Sequence, residues 1–269
     1  MSIQNHPYVI EGGQAGKARL SVLSQTLEPT TRALLERIGI EAGMDCLDVG
    51  SGGGDVTRLL AHLVGPRGRV VGIDFDAEIV RLAAADAQAA GLDQVSFRAA
   101  NVYDLQPEPL YDRVYVRFLL THLPDPAQAV RKLVQMLKPG GILIAEDVEM
   151  NGRFCYPAFP LFEAGAQLYR TAARRKGGDP EIGPKLPGLF QAAGLREVGV
   201  NLVQPVFLHG KGKTMMSLTL HRIADAVVAE GLATAREFEQ LVTEIAAFEA
   251  RPDTLVSLPR IFQVWGGNL

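Results

Sequence analysis

Residues 47–55 read Leu-Asp-Val-Gly-Ser-Gly-Gly-Gly-Asp, and this run constrains the chain more than any other. A short apolar stretch, Cys46 to Val49, leads into it. The segment that leaves it carries Val56, Leu59, Leu60 and Leu63 at the spacing of one helix face. Gly50, Gly52 and Gly54 let the backbone turn sharply and let a ligand approach it without meeting a Cβ. A glycine-rich turn between a strand and a helix is the setting of a nucleotide-binding site. The spacing then decides which kind. A dinucleotide fingerprint GxGxxG starting at Gly50 requires glycine at 55, where Asp55 stands; starting at Gly52 it requires glycine at 57, where Thr57 stands. A nicotinamide dehydrogenase reading fails at this step.

The chain around the turn alternates apolar runs with helical ones. Strands are predicted at 69–74, 95–99, 112–116 and 142–147, and helices at 55–64, 77–90 and 125–137. Such alternation implies a parallel sheet with right-handed crossovers. The expected fold is therefore one α/β domain over 1–269: a doubly wound, mostly parallel seven-stranded sheet with helices on both faces and helical lid insertions. Residues 44–147 form its ligand-binding core. Residues 1–40 read as a helical cover, with a helix over 14–38 broken near Pro29. Segments 150–180 and 210–252 read as the lid, with helices at 157–176, 213–230 and 235–250. A helix at 183–193 precedes a sixth strand near 197–207, and the last strand is expected at 260–265.

Bulk properties exclude several partners. A formal net charge of -3 gives no basic excess for nucleic acid. No stretch approaches the ~20 apolar residues of a membrane helix. The first residues lack the basic and apolar regions of a signal peptide, so a cytoplasmic protein is expected. Cys46 and Cys155 stand far apart, with no CxxC spacing and no histidine-rich company. Cys46 reads as a small core residue, and no metal site is expected.

Five motifs occur in a consistent order: Asp48 followed by Gly50, Gly52 and Gly54; Asp74-Phe75 ending the second strand; Asn101 after the third; YDRVYVRFLLTHLPDP over the fourth; and KPGG before ILIAED. In these residues the sequence resembles the class I, Rossmann-like S-adenosylmethionine-dependent methyltransferase family of small-molecule type. The resemblance covers roughly 44–147, with weaker agreement at 183–207 and 257–265. It implies S-adenosylmethionine as the cofactor. Asp48, Gly50, Ser51 and Gly52 would then bind it, with Asp48 toward the cationic end of its methionine moiety or else capping the turn, and Asp74 would accept from both ribose hydroxyls. Phe75 would pack on the adenine, beside Asn101 and Val102. Asn101 stands where the family usually has Asp, and it keeps a carbonyl acceptor. The methionine carboxylate needs a donor, for which Arg117 and Arg19 are candidates; Arg117 alternatively forms a surface ion pair with Asp112 or Asp125. Tyr8 falls in a segment that often folds over the cofactor in this family.

His122 follows the fourth strand and is the candidate general base; a packed structural histidine is the competing reading. Asp147 and Tyr156 are candidate substrate contacts, with Tyr169 in a lid wall. Glu146 and Glu149 follow the fifth strand and either orient a cationic substrate or cap a loop. The cluster Arg170, Arg174, Arg175 and Lys176 reads as a solvated helix end. The Asn/Asp-Pro-Pro-aromatic motif of enzymes acting on DNA bases is replaced by Val116-Arg117-Phe118-Leu119, and no carboxylate cluster for magnesium can be assembled. A small enclosed substrate fits best. Whether O, N, C or S accepts the methyl group is left open, as is a homodimer. The same fold binding the cofactor without transfer (as a scaffold, decarboxylase or hydroxylase) is the alternative.

Overall fold

In a computed structural model of the protein, residues 13–107 and 110–269 are described, without the side chains of 13–18. The chain begins with α1 (Gly13–Ile38), β1 (Asp45–Val49), α2 (Asp55–Val64), β2 (Arg69–Asp74), α3 (Ala77–Ala89) and β3 (Val95–Ala99). It continues with β4 (Tyr111–Arg117), α4 (Pro126–Val134), β5 (Leu137–Glu149), β6 (Cys155–Tyr156), α5 (Pro160–Arg175) and α6 (Leu186–Ala192). The last elements are β7 (Arg196–Val203), β8 (Val206–Phe207), α7 (Met215–His221), α8 (Ala224–Ala229), α9 (Ala235–Ala250), β9 (Leu255–Ser257) and β10 (Arg260–Gly267).

Seven strands form one sheet in the order β3-β2-β1-β4-β5-β10-β7. Only β10 runs antiparallel to its neighbours, so the mostly parallel seven-stranded sheet is as expected. Alternation along each strand sends side chains to two separate cores. Leu47 and Val49 pack with Val114, Val116, α4 and α6 on one face. Cys46, Val70 and Tyr115 pack with α1 and α2 on the other. A third apolar core lies outside the sheet, where Phe162 and Tyr169 of α5 meet Met216 and Leu220 of α7 and Val242 and Ile245 of α9.

Local signals fix several bounds. Helix α3 starts where the Asp76 side chain accepts from the Glu78 and Ile79 amides. Helix α9 carries a capping box between Thr234 and Glu237, and it has the bounds expected from its apolar spacing. Other bounds depart from expectation. Helix α1 runs unbroken through Pro29. Leu27 and Leu35 are fully buried on either side, and packing outweighs the one backbone hydrogen bond that proline removes. Strand β5 starts five residues early: Leu137 pairs with Tyr111 of β4 and Ile142 with Arg113, and the Lys-Pro-Gly-Gly run bulges between them, where Lys138 is held at 2.9 Å by both Asp45 and Asp112.

The run 197–207 divides at Gln204-Pro205. Strand β7 closes the large sheet, while β8 joins β9 and β6 in a small sheet that the sequence did not announce. The helix expected at 213–230 is two helices, with fully buried Ile223 at the break. The basic end of α5 is paired rather than simply solvated: Arg170 with Glu163, Arg174 with Glu181, and both Arg175 and Lys176 with Glu230. Among the described residues no helix is long and apolar enough to cross a membrane.

One buried carboxylate joins three elements to β5. Glu146 accepts from Thr31 Oγ1 of α1 at 2.6 Å, from Tyr115 Oη of β4 at 2.5 Å and from Gln263 Nε2 of β10 at 2.6 Å. Removing it strands three buried donors, each at about 1–3 kcal/mol. Glu146→Ala is therefore expected to lower unfolding stability by about 3 kcal/mol or more. Urea denaturation checks this as a fall in midpoint with little change in slope.

Candidate functional site

Strand order determines where a ligand can enter. From β1 the chain crosses to β2 and β3 on one side, then returns to place β4 on the other side of β1. The connections diverge beyond the carboxyl ends of β1 and β4 and leave a crevice there. A cavity of about 420 Å³ occupies it. Its wall includes Asp48, Gly50, Ser51 and Gly52 from the first turn, Asp74 and Phe75 after β2, and Asn101 and Val102 after β3. Arg117 and His122 line it beyond β4, and Arg19 lines it from α1. Tyr8 lies outside the described residues.

The glycine turn is held from two directions. The Gly50 and Ser51 amides donate to Ile73 O at 2.7 and 2.9 Å. The Gly52 amide donates to Asp74 Oδ2 at 2.9 Å. Gly52 has φ +50, and a Cβ there would stand 3.1 Å from Leu20 Cδ1. Gly54, at φ +75, leaves no room at all: its Cβ would lie 2.6 Å from Phe97 Cζ. Ser51 lines the cavity, and its Oγ is buried with no protein partner.

The two acids differ in what holds them. Asp74 accepts from Gly52 N and, through its other oxygen, from Asp76 N at 3.1 Å; burial still raises its pKa. Asp48 accepts from Thr57 Oγ1 at 2.7 Å, and burial pushes its carboxyl up to about 6. Phe75 is 41% exposed, which leaves ring surface for contact. Asn101 Oδ1 already accepts from Tyr103 N at 3.0 Å, and a carbonyl has a second lone pair to offer. Arg117 turns to α1 rather than to Asp112 or Asp125. Its Nη1 donates to Thr31 Oγ1 at 3.1 Å and its Nη2 to Ser24 Oγ at 3.3 Å. Asp112 binds Lys138, and Asp125 caps α4.

Beyond Arg117 the backbone is strained. Phe118 has φ +52, a conformation that costs a side-chain-bearing residue about 1–2 kcal/mol. Its amide donates to Glu146 O at 2.9 Å, which holds the bend. The following turn, Leu120–His122, rests on Asp147, which accepts from Thr121 N at 3.0 Å and Val148 N at 2.8 Å. Asp147 is 1% exposed and stands behind the wall, with burial pushing its carboxyl up to about 7. Glu149 is tied to Asn151 N and Arg260 Nη1. Tyr156 stands on β6, opposite Leu255 of β9 and 71% exposed, away from the residues of the wall.

The lid adds lining that motif reasoning missed: Arg153 after β5, Met215 and Thr219 of α7, and Leu258 and Ile261 around the start of β10. Tyr169 of α5, expected in a lid wall, lines the cavity with them. A single arginine in Asn-Gly-Arg-Phe has no periodicity or partner spacing to betray it. Thr219 Oγ1 accepts from Arg19 Nε at 3.3 Å, which joins α1 to α7 across the opening. Among the described residues no group of three His, Cys, Asp or Glu could hold a metal ion.

His122 is 5% exposed, and burial together with the charge of Arg19 holds its pKa down to about 3. The imidazole is thus neutral throughout the working range. Its ring NMR shifts, assigned by comparison with His122→Gln, are expected to stay those of a neutral ring from pH 8 down to about 4. A titration near 6.5 would contradict this assignment of charge.

Comparison with known proteins agrees with this geometry. Residues 40–177, more than half of the chain, match the family model described as a methyltransferase domain. A ubiquinone/menaquinone biosynthesis C-methyltransferase, UbiE of Hahella chejuensis, is 31% identical over 144 residues, which are 53% of this chain and 55% of that protein. The match therefore spans little more than half of that relative's length. The crystal structure of a putative methyltransferase from Bacillus halodurans superposes with a TM-score of 0.60 at 18% identity, covering 89% of this chain and 99% of the other. The [4+2]-cyclase SpnF superposes with a TM-score of 0.55 at 20% identity, covering 89% and 79%. The glycine turn, the acids that end β1 and β2, and the sheet order find their common explanation here: the chain belongs to the methyltransferase domain family, in its class I, S-adenosylmethionine-dependent form.

Proposed function

We propose that the protein transfers a methyl group from S-adenosylmethionine to a small-molecule acceptor held beneath α5 and α7. The observation that carries this reading is Asp74 at the end of β2. Its carboxylate lines the cavity and accepts from backbone amides, and among the described residues no cation pairs with it. Such a group suits a neutral ribose diol and repels a phosphate. The backbone of Gly50, Ser51 and Gly52 lines the cavity, with positive φ at both glycines, and this fits a ligand lying against the turn.

In this reading Phe75 stacks on the adenine, Asn101 and Val102 read its edge, and Asp48 faces the ammonium of the methionine moiety. Arg117 or Arg19 takes the carboxylate, and α1 acts as a cover. The cofactor supplies a methyl group on a positively charged sulfur, and its transfer is downhill. The protein's work is to hold the acceptor in line, and orientation alone is worth ~7–11 kcal/mol of barrier. His122, kept neutral, orients the acceptor by hydrogen bonding and is a weak base. Asp147 acts through the turn that carries His122 rather than on the substrate. Val148, Met150, Met215 and Ile261 give the wall a largely apolar character. Together with the relative named for quinone biosynthesis, this makes quinol-type rings the first acceptors to assay.

The fold shared with a cyclase supports the second reading, binding without transfer. Incubation with methyl-labelled S-adenosylmethionine and a panel of quinols, phenols, amines and thiols separates the two. Labelled product from one class is expected. Stabilisation by S-adenosylhomocysteine with no transfer to any class would favour the second reading, and stabilisation by NAD alone would overturn both.

A pH dependence follows from Asp48. Its carboxyl, at about 6, is partly protonated in the empty site near that pH. A neighbouring ammonium favours the carboxylate, so binding expels the proton. Affinity for S-adenosylhomocysteine is expected to weaken as pH falls through about 6 and to be level above about 7. Calorimetry across pH checks this, and Asp48→Asn is expected to flatten the profile.

A further inference from the structure

Charge changes sign across the strand ends. Carboxylates close β2 and β1 at Asp74 and Asp48, Arg117 closes β4, and Arg153 follows β5. All four line the same cavity. Arg117 is satisfied by hydroxyls of α1. Arg153 is not satisfied in any comparable way.

The guanidinium of Arg153 stands in apolar company. Its centre lies 5.1 Å from the Phe162 ring, and Nη1 donates to the thioether of Met216 at 3.4 Å, a weak acceptor. Its Nε is buried with no hydrogen-bond partner. The nearby acids are committed elsewhere: Glu249 accepts from the Ser217 amide and hydroxyl, and Glu163 pairs with Arg170. Among the described residues no carboxylate stands within salt-bridge distance of Arg153. Burial is severe enough to lower even this guanidinium, to about 10. Arg153 is half-buried with its Nε sealed and no acid beside it, and a partly desolvated cation without a partner is costly where an apolar side chain of similar volume would pack as well. An arginine that lines a cavity without an acid partner is the arrangement that receives an anion.

We propose that Arg153 is the binding residue for an anionic oxygen, a carboxylate or phenolate, on the methyl acceptor, whose remaining body is apolar. This inference deepens the methyl-transfer reading and rests on it for the identity of the ligand as acceptor. The apolar body follows from the neighbours of the guanidinium, since Met150 and Tyr169 share its wall. An acceptor that arrives with its charge neutralised by Arg153 also suits a site whose histidine is held neutral and is a poor base.

The test uses 1-naphthoate as the probe and 1-naphthamide as its neutral counterpart, titrated into the protein alone and into the protein saturated with S-adenosylhomocysteine. With the second ligand present, whichever of Arg117 and Arg19 takes the methionine carboxylate is engaged, and the comparison with Arg153→Met separates Arg153 from the other. Wild type is expected to prefer naphthoate by about tenfold or more, the value of one charge-assisted hydrogen bond. Arg153→Met is expected to abolish the preference while leaving naphthamide and S-adenosylhomocysteine binding unchanged, and Arg153→Lys to keep part of it. 2-Naphthol, titrated above and below its own ionisation, separates the phenolate from the carboxylate. Equal binding of naphthoate and naphthamide to wild type, no binding of naphthoate, or a preference that survives in Arg153→Met would overturn the proposal.

A structural role is read separately. If Arg153 serves a ligand, Arg153→Met melts without ligand at or above the wild-type temperature. A clear fall in melting temperature would assign the arginine to the lid's packing and overturn the proposal. Failure of S-adenosylhomocysteine to bind wild type would sink the methyl-transfer reading instead, and the naphthoate comparison on the protein alone would still decide the role of Arg153.

Discussion

The hydrogen bond from the Gly52 amide to Asp74 Oδ2 fastens the turn after β1 to the end of β2, and the rest of the site is arranged around that link. It fixes a carboxylate at the cavity and uses one of its oxygens to hold the backbone that a ligand would touch. The link exists because β1 and β2 are parallel neighbours whose carboxyl ends finish side by side. It also requires a residue without Cβ at 52, where φ is +50 and Leu20 of α1 lies against the turn. Sheet order, glycine placement and the acid at 74 are thus one constraint seen from three sides.

A second buried carboxylate holds the cover in place. Glu146 gathers hydroxyls of α1 and β4 and an amide of β10, and Thr31, one of its donors, also receives Arg117. The same backbone position takes the Phe118 amide and so sustains the strained bend that delivers His122 to the cavity. The side-chain chemistry at the end of β4 therefore depends on an acid one strand away. A network of this kind is tolerable in a core only because each member is satisfied. Arg153 stands outside any such network, with its Nε unpartnered.

Legibility in the sequence followed the range of the forces involved. Helices α2 and α9 and strand β3 have their expected bounds, because apolar spacing, glycines and capping side chains act within a few residues. The residues named around the glycine turn, after β2 and after β3 line the cavity, since strand ends and local turns determine their position. Helix α1 crosses Pro29 because distant packing at Leu27 and Leu35 outweighs a local rule. The split of β7 from β8 and the course of β5 through Lys138 likewise depend on partners far along the chain. Arg153 and Thr219 reach the cavity only through tertiary packing, as does Tyr169, and no spacing in the sequence marks the first two. Asp147 shows the reverse: it has the sequence position of a ligand contact, yet alternation along β5 turns it to support a turn.

The central claim is that Asp74 and the glycine turn grip an adenosine that carries no phosphate. The most direct test is calorimetric titration of S-adenosylhomocysteine into wild type and Asp74→Ala, with circular dichroism to show that both are folded. Two charge-assisted hydrogen bonds to a ribose diol predict a loss of affinity of at least about a hundredfold in the variant. A dissociation constant unchanged to within about twofold would contradict the account, because that ratio is worth less than one ordinary hydrogen bond.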